Sequence, residues 1–159
     1  MWFVSLALAA SVLPAPAAED EALTRMALCR DSWVEWQKSE PKKFAAFAAR
    51  IRTGFTPHDN DPFALPKSQV SVLGLKVLEV YWESVGMGVG FSLTLDAPFD
   101  RTRNAVEKAL GKPLQHCESG DGMRSCELAI AQQRTVTLMA EDGAKLHRTL
   151  IGCYYFYEK

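Results

Sequence analysis

Met87-Gly88-Val89-Gly90-Phe91-Ser92-Leu93-Thr94-Leu95-Asp96 alternates apolar with small or polar residues along its whole length. Successive strand side chains point to opposite faces, so Met87, Val89, Phe91, Leu93 and Leu95 share one face. Gly88, Gly90, Ser92, Thr94 and Asp96 share the other. This is the pattern of an antiparallel strand with one face on a core. The second face is smooth and small, which lets a helix or a partner lie close against it.

Working outward, residues 70–82 are rich in β-branched and aromatic side chains. Their alternation falters at Gly74, which predicts a bulge, and the region of Gly86 turns this strand into the next. Further strands are expected near 114–118, 124–131, 134–140 and 149–157, with turns at 119–122, 132–133 and 141–143. The last of them carries Leu150, Ile151, Tyr154, Tyr155, Phe156 and Tyr157, apolar on both faces, as in a central or doubly covered strand. Asp100 is expected to cap a helix bearing Ala105, Val106, Ala109 and Leu110, stopped by Gly111 and Pro113.

Toward the N-terminus the period changes. Ala22, Met26, Cys29, Trp33 and Trp36 recur at spacings of four and three, which predicts one helix over 19–38. A second helix starts near Pro41, carries Phe44, Phe47, Ala48 and Ile51 on one stripe, and ends at Gly54. Residues 53–68 contain three prolines and the run His58-Asp59-Asn60-Asp61, and are read as an irregular loop. A loop this long in a compact domain is often functional. The resulting fold class is α+β. Two N-terminal helices and one further helix pack on an antiparallel sheet of about five to six strands. A helical hairpin spans 18–54, and a sheet with one inserted helix spans 69–159.

Residues 2–13 are an apolar run, followed by Pro14-Ala15-Pro16-Ala17-Ala18 and the acidic Glu19-Asp20-Glu21. These are the apolar and cleavage regions of a secretory signal peptide, with the cut expected after Ala17. No Lys or Arg precedes the run, a departure from the usual pattern. The run is about half the ~20 residues needed to span a bilayer, so a membrane anchor is not expected after cleavage. No Cys follows it to accept a lipid. The expected domain therefore covers 18–159, in the periplasm or outside the cell.

Four cysteines, at 29, 117, 126 and 153, all lie in that domain. An even number in an exported chain implies disulfides, with three pairings open. Cys117 and Cys126 flank a hairpin-like turn, which favours Cys117–Cys126 and hence Cys29–Cys153. A zinc site is disfavoured because neither Cys-x-x-Cys nor His-x-x-x-His occurs.

The charges nearly cancel, at a net of −1, which argues against nucleic acid as a partner. His58, His116 and His147 are scattered. Neither Ser84 nor Ser92 lies in a Gly-x-Ser-x-Gly elbow, and Gly86-Met87-Gly88-Val89-Gly90 precedes a strand rather than the helix a dinucleotide loop requires. His58, Asp59 and Asp61 lack the acidic ligand an EF-hand needs. No catalytic residue, metal or cofactor is therefore expected. The general type resembles periplasmic inhibitor and immunity proteins. That resemblance implies a binding protein that occludes an envelope-acting hydrolase or toxin, its partner being another envelope protein. The candidate contacts are His58, Asp59, Asn60, Asp61 and Phe63 on the loop, and the basic residues Lys42, Lys43, Arg50 and Arg52 on the second helix. The alternatives are an envelope enzyme with an unfamiliar site and a small-ligand or lipid carrier.

Overall fold

The computed structural model describes residues 18–58, 63–85, 88–131, 133–141 and 147–156. The expected leader, 1–17, lies outside them. The strands are β1 (Ala18–Glu19), β2 (Phe55–Pro57), β3 (Phe63–Pro66), β4 (Val70–Val72), β5 (Leu75–Val85), β6 (Gly88–Asp96), β7 (Gln115–Gly120), β8 (Met123–Ala131), β9 (Arg134–Glu141) and β10 (Arg148–Phe156). The helices are α1 (Glu21–Ala27), α2 (Trp33–Ser39), α3 (Pro41–Gly54) and α4 (Phe99–Leu110). The class is α+β. The sheet runs β1-β4-β5-β6-β10-β9-β8-β7, with β3 also on β5 and β2 on β3. Nine strands pair antiparallel, and β1 joins β4 in parallel.

Ten described strands replace the five to six expected, for local reasons. Within 53–68, two described stretches are strands rather than loop: Phe55, Thr56 and Pro57 pair with Pro66, Leu65 and Ala64. Pro57 and Pro66 are tolerated because they stand at the ends of short strands at the sheet margin. Gly74 is not a bulge but half of a tight turn between β4 and β5. Leu73 (φ 55°) and Gly74 (φ 69°) both take the left-handed conformation that a two-residue hairpin of primed type demands. The Glu19 carboxylate accepts from both of their backbone N–H groups, at 2.7 and 3.1 Å, and from the Ser71 hydroxyl. The bulge falls later, between Val77 and Glu79.

The helix expected over 19–38 is two helices. Asp20 caps α1 by accepting from the Leu23 N–H, and its other oxygen pairs with Arg50 on α3. The chain then turns over at Cys29, which has φ 55°. Ser32 starts α2 by accepting from the Glu35 N–H at 3.0 Å. A two-pronged Arg25–Asp31 ion pair, at 2.7 and 3.0 Å, clamps the break. Apolar spacing survives this interruption, which is why periodicity alone misses it. α3 begins at Pro41 and ends at Gly54, as expected. α4 is capped by Pro98 rather than Asp100. Asp100 lies in the first turn and accepts from Arg124 at 2.8 Å, while Gly111 closes the helix at φ 66°.

α1 lies over β4, β6 and β10, and α4 over β9 and β10. They cover the apolar face read from the alternation: Phe91, Leu93, Leu95, Val136, Leu138 and Ile151 are each fully buried. Phe47 of α3 meets Phe91 edge-on at 5.6 Å. Disulfides join Cys29 to Cys153 and Cys117 to Cys126, with Cα atoms 5.1 and 4.1 Å apart. The first ties the end of α1 to the central strand β10; the second ties edge strand β7 to β8.

Candidate functional site

On the opposite face no described helix packs, and small residues let one aromatic ring lie flat. The Tyr154 ring lies over Gly90, where an added Cβ would come within 2.5 Å of it. At Gly152 a Cβ would meet Ser92 Cβ at 2.8 Å and the Phe91 carbonyl at 2.9 Å. Burial beneath neighbouring side chains holds the Tyr154 phenol above its ordinary pKa. This half of the bare face is thus paved and closed.

The other half is open. Glu79, Thr94, Leu150, Met139 and Ser125 stand directly opposite one another on β5, β6, β10, β9 and β8. They form one row running across the strands. Met123 and Glu141, themselves paired, lie two residues along β8 and β9. The structure has a cleft of about 380 Å³ along this row, lined by Glu79, Thr94, Leu150, Met139, Met123 and Arg148, with Phe63 and Glu141 at its margins. Its floor is tied by the Arg148 guanidinium donating to Glu79 at 2.5 Å. Met123 is 42 % exposed, high for a large apolar side chain.

Of the expected site residues, Phe63 and the α3 cations can be placed relative to the sheet. Phe63, on β3 opposite Tyr81, reaches the cleft, and its ring lies 5.1 Å from the Tyr81 ring. His58 is exposed, and its backbone N–H donates to the Phe63 carbonyl at 2.9 Å. Asp59, Asn60 and Asp61 lie outside the described residues. Lys42, Lys43, Arg50 and Arg52 are exposed on α3, whose Phe47 packs on the other side of the sheet. Lys43 pairs locally with Glu40 at the start of its own helix, and Arg50 ties α3 to the buried Asp20 at the start of α1. Phe63 and the α3 cations therefore lie on opposite sides of the sheet.

Sequence reasoning passed over Glu79, Arg148, Met123, Met139 and Leu150. Each belongs to a different stretch of sequence from most of the others, and only register aligns them. The available signal was strand parity: Met139 and Leu150 alternate with buried Leu138 and Ile151. Among the described residues no group of three or more His, Cys, Asp or Glu could hold a metal ion. What the arrangement can do is bind. Apolar and thioether side chains offer contact area, and a charged pair offers orientation. No protein-family model, no curated protein and no solved structure matches this chain.

Proposed function

We propose that the chain is an exported periplasmic binding protein. Its action is to occlude another envelope protein, as an inhibitor or immunity-type protein does with a hydrolase or toxin. The observation that carries this reading is the division of the sheet. Helices and a disulfide brace one face, and the other presents an open cleft with the exposed thioether of Met123 and the half-buried one of Met139. A rigid scaffold with an adaptable apolar surface suits capture of a macromolecule. The two disulfides suit an oxidising compartment, and the apolar leader at 1–17 supplies the route to it. Among the described residues no helix is long and apolar enough to cross a membrane.

The test is site-specific photo-crosslinking in living cells. A crosslinking residue at Met123, in the cleft, should give a discrete adduct with one envelope protein. The same residue at Lys108, on α4 behind the sheet, should not. Absence of an adduct from Met123, or identical adducts from both positions, would overturn the reading. A small-ligand carrier is the second reading. It is favoured by the cleft's volume, which falls in the range of about 300–1,000 Å³ usual for ligand sites.

A further inference from the structure

We infer that Cys117 is a thiol-exchange site, whatever the cleft binds. A dithiol opens the Cys117–Cys126 bridge there and frees the edge strand β7, while Cys29–Cys153 stays closed.

Exchange requires a thiolate to reach a sulfur, so access decides which bridge reacts. Cys29 and Cys153 are 2 % and 1 % exposed, and Cys153 lies on β10, flanked on both sides by β6 and β9. That bridge is shielded in the folded chain. The two members of the short bridge differ from each other. Cys126 is 1 % exposed and stands opposite the fully buried Leu138 of β9. Cys117 is exposed, as is every residue of β7. Of the four bridged cysteines, Cys117 alone is open to solvent.

Topology gives the exchange a direction. β7 ends the sheet, with β8 as its single strand neighbour among the described residues. A thiolate arriving from beyond that edge meets Cys117, whereas the far side of Cys126 is filled by β9. The attacking sulfur bonds to Cys117 Sγ, and the Cys117–Cys126 bond breaks. Its electron pair leaves on Cys126 Sγ, which takes up a proton. The second thiolate of the dithiol then attacks the sulfur of the first, and Cys117 leaves as a thiolate that is protonated in turn. The bridge is thereby reduced to two thiols, and the dithiol is oxidised to a disulfide.

What the opened bridge releases is set by how little else holds β7. No residue of the strand is buried, so it adds no side chain to the core. Its other described ties are the ladder to β8 and the tight turn at Asp121 and Gly122, with φ 51° and 75°. The ladder is interrupted between Gln115 and Glu118, where His116 is held at φ 45°, a left-handed conformation that carries strain outside glycine. The bridge thus closes the strand where its pairing is weakest. Just before β7, Leu114 is buried and its N–H donates to Glu107 at 2.9 Å, so release stops there. With β7 gone, β8 becomes the margin of the sheet and presents backbone groups that can pair with another strand.

The experiment treats the oxidised, folded protein with dithiothreitol, quenches with acid and maps the thiols by mass spectrometry. Cys117 and Cys126 should be reduced about a hundredfold faster than Cys29 and Cys153. With glutathione, a monothiol, the trapped mixed disulfide should sit on Cys117 and the free thiol on Cys126. Hydrogen exchange of the reduced protein should show the β8 amides that bond β7 losing protection by about tenfold or more, with β6 and β10 unchanged. Cys117→Ala with Cys126→Ala should give the same exchange pattern without reductant. Equal rates for the two bridges, or glutathione on Cys126, would overturn the exchange site. β8 amides that keep their protection after reduction, or protection lost throughout the sheet, would overturn the release of β7.

Discussion

The two faces of the sheet are built from the same strands and have opposite fates. On β6, Phe91, Leu93 and Leu95 are fully buried beneath helices, while Gly90, Ser92 and Thr94 look the other way. On β9, Val136 and Leu138 are sealed, and Met139 between Leu138 and Ala140 lines an open cleft. The covered face spends its side chains on stability. The bare face carries the exposed Met123 and surface carboxylates, which add little to stability. Which side chains meet the helices is a matter of parity: a one-residue slip in register would exchange the two faces.

That contrast can be broken most severely at the staple of the covered face. Replacing Cys29 and Cys153 together by Ala releases a loop of 124 residues, and the chain-entropy argument sets the cost at about 5 kcal/mol. Releasing Cys117–Cys126, whose loop is 9 residues, should cost about half as much. Urea denaturation of both double variants measures the ratio; equal losses would mean that the long bridge adds no constraint the fold lacks.

A paired substitution across the sheet sharpens the comparison. Phe91→Ala empties a fully buried site beside Phe47 and should cost about 3–5 kcal/mol. Met123→Ala, on the open face, should cost less than about 1 kcal/mol. Thermal unfolding of the two variants separates the faces directly; comparable losses would mean that the cleft residues are part of the core.

The smallest effect is a pH dependence on the covered side. Glu107 on α4 is held below the ordinary carboxylate range, first by the Arg103 hydrogen bond and then by the Leu114 backbone N–H. A depressed folded-state pKa gives stability that is present above the unfolded value, near 4.3, and is lost as pH falls through the folded value. The group is partly exposed, so the contribution should be below about 1 kcal/mol. Glu107→Gln should remove it, making the stability curve of the variant flatter than wild type below about pH 4.5. An unchanged slope would show that Arg103 and Leu114 do not discriminate between the two protonation states.

Much of the fold was legible because local chemistry and tertiary packing agree. The 88–96 alternation, Pro41 and Gly54 bounding α3, and the cysteines flanking the 118–125 turn each settle their own neighbourhood. Where the reading failed, a local signal had two outcomes. Prolines in 53–68 break a central strand but not the ends of a marginal one, so β2 and β3 were passed over. Gly74 permits a bulge or a turn, and Glu19, some fifty residues away, stabilises the turn. The helical period across Cys29 continues through a break that Ser32 and the Arg25–Asp31 pair create.

The candidate site was less legible for a stronger reason. Phe63 was singled out, but as part of a polar loop rather than the end of a cleft. On α3, Lys43 and Arg50 are paired with Glu40 and Asp20, partners that spacing along the helix does not reveal. Composition, periodicity and cysteine spacing are properties of neighbours along the chain, so the sequence by itself determined the α+β class, the apolar face of each strand and the cysteines available for bridging. Which strands lie side by side is a property of the whole sheet. Leu150 meets Met139 and Thr94 only because β10 is inserted between β6 and β9, fifty residues or more from β6 in sequence. Tertiary structure alone decided that row, and with it the cleft, since side chains on separate strands acquire a common surface only when backbone hydrogen bonds set their register.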